Sequence, residues 1–364
     1  NLCSLNENNL SFSLTTCNHL LKNAYDLINL LYLRLLNIKT YMTNVTIKDI
    51  AKALNLSTST VSRALRDSYE ISADTKKKVT EYAKSVHYTP NPIALSLKEN
   101  KSHSICVIVP EIANNFFSEV INGIDFTAFQ RGYHVVIFQT YESFEREQAN
   151  LENGLARRAD GIIMSLSGTT ENFEYLDKLS ADNIPIVFFD RVPPLDDCYK
   201  VVSDNLEGAY KATQHLISQG KKRIAHITSP PVLSITKERL AGYKAALRDN
   251  NIDIDQNLVR YCGFEPKEAF QTIDDLIKNH NPDSFFICSD RLALNCFEGL
   301  KKNKNVLAED ICIVGYTNLK TAHLLEPPLT TVRQPAFEMG QQATELLFSI
   351  LNAKGRTIPY QTIT

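Results

Sequence analysis

Val45 to Leu65 reads V-T-I-K-D-I-A-K-A-L-N-L-S-T-S-T-V-S-R-A-L, and the rest of the chain is organised around this stretch. Thr46 with Asp49 three residues on predicts a capping box, in which an N-cap hydroxyl and an acid satisfy each other's backbone amides at a helix start. Ile47, Ile50, Ala51 and Leu54 fall at helical spacing and give that first helix one apolar face. Asn55-Leu56 supplies a tight turn, and Ser57 is a good N-cap for a second helix whose inward side is Val61, Ala64 and Leu65. Two short helices joined this way form a helix-turn-helix. The outward side of the second helix carries Thr58, Ser59, Ser62 and Arg63, groups able to reach base edges and phosphates. The same pattern also fits a small helical bundle with a solvated polar face, and spacing alone leaves both open.

The residues after Leu65 favour the helix-turn-helix. Ser72 caps a third helix with an apolar stripe of Val79, Tyr82 and Ala83 and a basic patch of Lys76, Lys77 and Lys78. Pro90-Asn91-Pro92 ends the unit, and Ile93 to Leu97 comes next as a short apolar segment. From Val45 to Leu97, without a gap, the sequence resembles the DNA-binding headpiece of LacI/GalR-type transcriptional regulators. The resemblance implies base readout by Thr58, Ser59 and Arg63. It implies phosphate contacts from Thr46, Ser57, Thr60, Ser62, Ser72 and Thr75. It also implies a hinge helix with Asn91, Ala94 and Leu97 in the minor groove, where Leu97 wedges between base steps. Without the resemblance, Ile93, Leu95 and Leu97 read more simply as an apolar dock for the headpiece.

The chain has 364 residues, of which 43% are hydrophobic, enough for two or three domains with real cores. Its net charge of −2 hides an asymmetry. Met42 to Ser104 holds ten Lys/Arg against six Asp/Glu, whereas residues 105–364 hold twenty-six against thirty-three. A basic head on an acidic body suits a protein that touches phosphates at one end. The eight cysteines form no C-x-x-C pair and no metal-ligand spacing. Cys106, Cys288 and Cys312 sit in apolar runs where a thiol acts as a small hydrophobe. A reducing cytoplasm is the expected location.

Residues 1–41 stand outside the pattern. Leu20 to Ile38 is apolar but interrupted by Lys22, Asp26 and Arg34, so neither a membrane span nor a signal peptide is expected. Met42-Thr43-Asn44 is a natural start for such a headpiece, which makes residues 1–41 an extension outside the family pattern; a dimerising or membrane-attaching helix is the alternative. Tyr360 to Thr364 reads as the beginning of a strand, and the resemblance implies that the family continues beyond it.

From Ser104 onward, apolar β-branched runs alternate with amphipathic helices about every twenty-five residues. The runs are 104–110, 134–139, 161–166, 185–190, 223–228, 284–289 and 311–315. Strands so uniformly apolar are covered on both faces, which makes the class α/β with doubly wound parallel sheets. Ligands bind such sheets beyond the carboxyl ends of the strands. No dinucleotide fingerprint, phosphate loop or nucleophile elbow occurs there. Phe116-Phe117, Asp190-Arg191, Arg239, Phe264 and Asp290 do, and aromatic walls with a few charged groups suit a polar small molecule such as a sugar. Taken singly, each also reads as a core or surface residue.

The phrases N-N-F-F-S-E-V-I-N-G-I, D-N-L-E-G-A-Y, R-L-A-G-Y-K-A-A-L, S-D-R-L-A-L and P-P-L-T-T-V-R-Q-P extend the resemblance over Met42 to Thr364. They imply two periplasmic-binding-protein-like lobes around a ligand cleft. Lobe 1 is expected at about 104–203 plus 330–353 and lobe 2 at about 204–329 plus 354–364. A headpiece at 42–89 and a hinge and linker at 90–103 precede them. By position, Phe116, Phe117, Asp190, Arg191, Arg239, Phe264, Asp290 and, more weakly, Gln334 match effector-binding residues. Departures are Ser289 for the common Asn, Thr317-Asn318 for two acids, and Lys221-Lys222 for Gly-His. Leu233 and Ile235 stand where purine-responsive members have polar contacts, which disfavours a purine.

The expected protein is a regulator that binds double-stranded DNA at an inverted-repeat operator as a homodimer and answers to a sugar-like effector. No catalytic residues, cofactor, metal or membrane partner is expected. A sugar-transport receptor is disfavoured by the headpiece and the missing export signal. A nucleotide-dependent enzyme is disfavoured by the missing phosphate loops.

Overall fold

The computed structural model describes residues 45–89, 101–176, 184–302, 311–353 and 358–364. The chain divides into two compact units, residues 1–95 and 96–364. Among its described residues the first holds three helices, α1 (Ile47–Ala53), α2 (Thr58–Leu65) and α3 (Ala73–Ser85). The capping box forms: Thr46 Oγ1 accepts from the Asp49 amide, and Asp49 Oδ2 accepts from the Thr46 amide at 2.8 Å. Asn55 turns the chain in the left-handed region at φ 52°, where Asn is tolerated because its side chain bonds locally. Ser57 and Ser72 cap α2 and α3. Ile50, Ala51, Val61, Ala64, Val79 and Ala83 are all at most 5% exposed. They form one core with Ile47, Leu54, Leu65 and Tyr82 at its margin. Burial of each Ile or Val there contributes about 1.5–3 kcal/mol. Lys76 leaves the basic patch to bind Asp67, its Nζ lying 2.7 Å from Oδ1; Lys77 and Lys78 stay exposed.

The second unit carries two parallel sheets. The first contains β1 (Ser104–Val109), β2 (His134–Gln139), β3 (Gly161–Met164), β4 (Ile186–Phe189), β5 (Tyr199–Val201) and β11 (Thr362–Ile363). The second contains β6 (Ile224–Thr228), β7 (Val259–Tyr261), β8 (Ser284–Ile287), β9 (Cys312–Tyr316) and β10 (Thr330–Val332). Their strand orders are β11-β5-β4-β3-β1-β2 and β10-β9-β8-β6-β7. Among the described residues every pairing is parallel, the arrangement that goes with helices on the sheet faces. The intervening helices are α4 (Asn115–Gln130), α5 (Phe144–Ala156), α6 (Asn205–Ser218), α7 (Ser234–Asp249), α8 (Pro266–His280), α9 (Asp290–Lys302) and α10 (Ala336–Leu351). Each sheet has an apolar cluster on either face.

Three expectations need correction. Thr330–Val332, expected in lobe 1, pairs with β9 of the second sheet. Conversely Thr362–Ile363, expected in lobe 2, pairs with β5 of the first. Strands of two and three residues carry too little pattern to reveal their sheet, and hydrogen-bond partners decide it. The chain therefore crosses from lobe 1 to lobe 2 at 202–204 and back at 333–335. β2 is not covered on both faces: it is an edge strand, and Ile137 within it is 39% exposed. Among the described residues no helix is long and apolar enough to cross a membrane.

One core residue of lobe 2 titrates. His226 is fully buried and lies between Phe286 and Tyr243, ring centroids 4.6 and 5.0 Å away. Its Nδ1–H donates to the Phe286 carbonyl at 3.0 Å, and burial pushes its pKa down to about 4. With the folded pKa below the unfolded value of about 6.5, the unfolded state alone takes up a proton between those two pH values. Stability should therefore fall by up to about 3 kcal/mol from pH 6.5 to pH 4 through this group. His226→Phe keeps the aromatic stack without the proton site. Urea midpoints across this range should fall less in the variant; equal slopes in both proteins would contradict the assignment.

Candidate functional site

The two lobes face each other across a cavity of about 40 Å³ at the carboxyl ends of their strands. Seven of the eight expected effector residues line it: Phe116, Phe117, Asp190, Arg191, Arg239, Phe264 and Gln334. Phe116 and Phe117 open α4, whose N-cap Asn114 accepts from the Phe116 amide. Asp190 directly follows β4 in the left-handed region, φ 56°, with 4% exposure. Asp tolerates this region because its short polar side chain can bond locally.

Arg191 joins the lobes. Its Nη1 lies 2.7 Å from Glu142 Oε2. Its guanidinium carbon stands 5.5 Å from the Phe117 ring of lobe 1 and 4.8 Å from the Phe264 ring of lobe 2. Further contacts close the cleft: Lys320 to Glu119 at 2.6 Å, Arg291 to Glu111, and the Val192 amide to Ser234 Oγ. Gln334, in the return crossover, donates from Nε2 to Ser203 Oγ of the outward crossover at 2.8 Å and to Asp190 Oδ1 at 3.3 Å.

Arg239 is 2% exposed. Nε donates to Asn205 Oδ1 at 3.0 Å and Nη1 to the Cys288 carbonyl at 2.6 Å, with the guanidinium 4.0 Å above the Tyr316 ring. Tyr316 stays close because Gly208 has no side chain; a Cβ there would meet its hydroxyl at 2.1 Å. Among the described residues no carboxylate is within ion-pair reach of Arg239, whereas Arg191 and Arg291 each have one.

Asp290 is the exception. It does not line the cavity. Its carboxylate accepts from Thr331 Oγ1 at 2.7 and 2.9 Å and from the Leu319 amide at 2.5 Å. It thereby ties the start of α9 to β10 and to the turn after β9. Gly315 makes room for it, since a Cβ would stand 2.1 Å from Asp290 Oδ1. A lone acid after a strand reads the same whether it faces the cleft or the sheet edge, and only packing separates them. The sequence reading missed Asn114, Ser229, Arg291 and Asn295, which also line the cavity. Their positions just past strand ends, or one turn apart at the start of α9, are the available signal.

On the headpiece, Thr58 and Ser59 are exposed in the first turn of α2. Arg63 points from its last turn with a half-exposed side chain, Nη1 2.8 Å from Glu70 Oε2. Ser57, Ser59 and Thr60 form a hydroxyl cluster with separations of 2.7 and 2.8 Å. Thr46 Oγ1 donates to Asp49, Ser72 Oγ and Thr75 Oγ1 are 2.9 Å apart, and Ser62 accepts from Arg66. Asn91, Ala94 and Leu97 lie outside the described residues, as do residues 1–41. Among the described residues no group of His, Cys, Asp or Glu could hold a metal ion.

The family model for periplasmic binding proteins and the sugar-binding domain of the LacI family matches residues 102–364, and that for bacterial regulatory proteins of the lacI family matches 46–91. The chain is 32% identical to the HTH-type transcriptional repressor PurR of Vibrio atlanticus (strain LGP32), over 85% of this chain and 92% of that one. It is 33% identical to the HTH-type transcriptional repressor CytR of Escherichia coli (strain K12), over 85% and 90%. A complex of the transcriptional regulator CelR with cellobiose superposes with a TM-score of 0.66 at 26% identity, over 88% of this chain and 96% of that one. The relatives are transcriptional repressors rather than enzymes. With both halves matched in register, this chain belongs to the LacI family of DNA-binding transcriptional regulators.

Proposed function

We propose that the protein is a repressor whose operator affinity is set by a sugar or sugar derivative bound between its lobes. The observation that carries the effector class is a pair of buried polar atoms at the cavity wall, Arg191 Nε and Gln334 Oε1, without partners among the described residues. One is a donor and the other an acceptor, and a hydroxyl can answer both. Apolar Ile235 in the same cavity lining favours the carbon face of a sugar over a polar heterocycle. The relative CelR is solved with cellobiose. A cavity of about 40 Å³ is far below the ~300–1,000 Å³ of drug-sized ligand sites. Admission of a sugar therefore requires the lobes to part, breaking the cross-cleft ion pairs, which gives the effector a lever on conformation.

On the DNA face, Thr58, Ser59 and Arg63 read bases in the major groove. Thr46, Ser57, Thr60, Ser62, Ser72 and Thr75 hold phosphates. Asn91, Ala94 and Leu97 form the minor-groove hinge, within a linker at 90–103 that follows a headpiece at 42–89. The protein acts in the cytoplasm as a homodimer on an inverted repeat. Phe126 and Phe129 on the outer side of α4 are 49% and 75% exposed, with Phe126 against the Phe337 ring of α10 at 5.8 Å, an apolar surface that suits a second copy. Selection of binding sites from a random duplex library should return an inverted repeat bound by a dimer. Melting temperature measured over a panel of mono- and disaccharides should rise with at least one, since a ligand of the folded state stabilises it. Recovery of unrelated sequences with no symmetry would sink the operator reading.

A further inference from the structure

Arg63 has one partner among the described residues, the Glu70 carboxylate at 2.8 Å. A surface ion pair is usually a passing contact. This one is built into a held loop. Between α2 and α3 the chain turns through Asp67 at φ 55°. The Asp67 amide donates to the Ala64 carbonyl at 3.1 Å and the Ser68 amide to the Arg63 carbonyl at 3.0 Å. The Ile71 amide donates to the Ser68 carbonyl at 3.2 Å, and Ile71 packs on the headpiece core. Lys76 grips Asp67 through both its carboxylate and its carbonyl. Glu70 is thus carried on backbone fixed at both ends, facing the last turn of α2.

We propose that Glu70 is a specificity-determining residue of the DNA face, acting through Arg63. This rests on the reading of Arg63 as a base contact. One carboxylate has two effects here. Holding Nη1 restricts a long, rotamer-rich side chain, so less entropy is lost when Nε and Nη2 meet a guanine edge. If Arg63 instead swings to a phosphate, as on nonspecific DNA, Glu70 is left unpaired against the negative backbone. That complex is penalised by repulsion. Glu70 therefore weakens nonspecific binding while sharpening the base pair that Arg63 reads.

The test uses the full chain as wild type, Glu70→Gln, Glu70→Asp and Arg63→Ala. Site selection from a random duplex library gives base profiles, and titration with poly(dI-dC) duplex at fixed salt gives nonspecific affinity. Glu70→Gln should bind poly(dI-dC) about three- to fivefold tighter and lose several-fold preference at one symmetric pair of positions, the pair that Arg63→Ala flattens. Glu70→Asp keeps the charge one methylene short, so it should keep the weak nonspecific binding. If Arg63→Ala flattens a position but Glu70→Gln and wild type agree in profile and in poly(dI-dC) affinity, the proposal is wrong while the base-readout assignment stands. If Arg63→Ala leaves the profile unchanged, the assignment fails and the proposal with it. Thermal melting of each variant confirms that the headpiece is folded.

Discussion

Arg239→Met should abolish the response to the effector while leaving operator binding in place. Methionine keeps an apolar stem over Tyr316 but removes the fork that Asn205 and the Cys288 carbonyl hold in a fixed plane. With Nε and one Nη1 proton committed to the protein, the remaining N–H groups are those free for a ligand. Hydrogen bonds to a charged group contribute about 1.5–3 kcal/mol each, so loss of the guanidinium should weaken effector binding by ~100-fold or more. Among the described residues no carboxylate stands at ion-pair distance from this cation; Glu238 reaches it only through Asn205, whose Nδ2 donates to Glu238 Oε2 at 2.8 Å while its Oδ1 accepts from Arg239. The check is the melting shift with the sugar that stabilises the wild type. A shift of equal size in Arg239→Met would place the effector elsewhere.

Asp290 should behave differently from a ligand clamp. Asp290→Ala leaves the half-buried Thr331 hydroxyl and Leu319 amide without their acceptor, a loss of about 1–3 kcal/mol that should appear as a lowered melting temperature with or without sugar. Burial raises its carboxyl pKa from the ordinary value to about 6, in spite of the hydrogen bonds that favour the charged form. A folded pKa above the unfolded one means that its contribution is fully present below pH 4 and is lost as pH rises through 6. Asp290→Asn cannot ionise. Its stability relative to wild type should therefore climb by up to about 3 kcal/mol between pH 4 and pH 7, whatever constant offset the amide introduces. A pH-independent difference would show that the carboxyl is not strained by burial. His226 works in the opposite direction over nearly the same range, so the wild-type profile alone would show little of either.

The headpiece was legible because its signals are local. A capping box, two serine caps and an Asn at the turn each act within four residues of themselves, and all formed. The strands that alternate with helices from Ser104 were legible for a related reason, since a strand buried on both faces must be apolar throughout. Edges obey that rule less, and β2 shows it: as the last strand of its sheet it leaves Ile137 partly in water. The three-residue strands β5, β7 and β10 are too short to show any period.

The cleft was legible in its membership and not in its wiring. Residues just beyond strand ends converge on the cavity because parallel strands all point their carboxyl ends one way, which is a property of topology. Seven of the eight expected residues follow from that. Asp290 occupies the same kind of position and faces the sheet edge instead, because Gly315 beside it and Thr331 on β10 offer room and a donor. Those partners are 25 and 41 residues away along the chain. Local pattern thus determined the helix-turn-helix, the α/β class and the end of the sheets where the cavity lies. Tertiary packing alone decided which lobe receives β10 and β11, which arginine has no carboxylate at ion-pair distance, and that Arg63 meets Glu70, because each depends on groups brought together by the fold rather than by spacing.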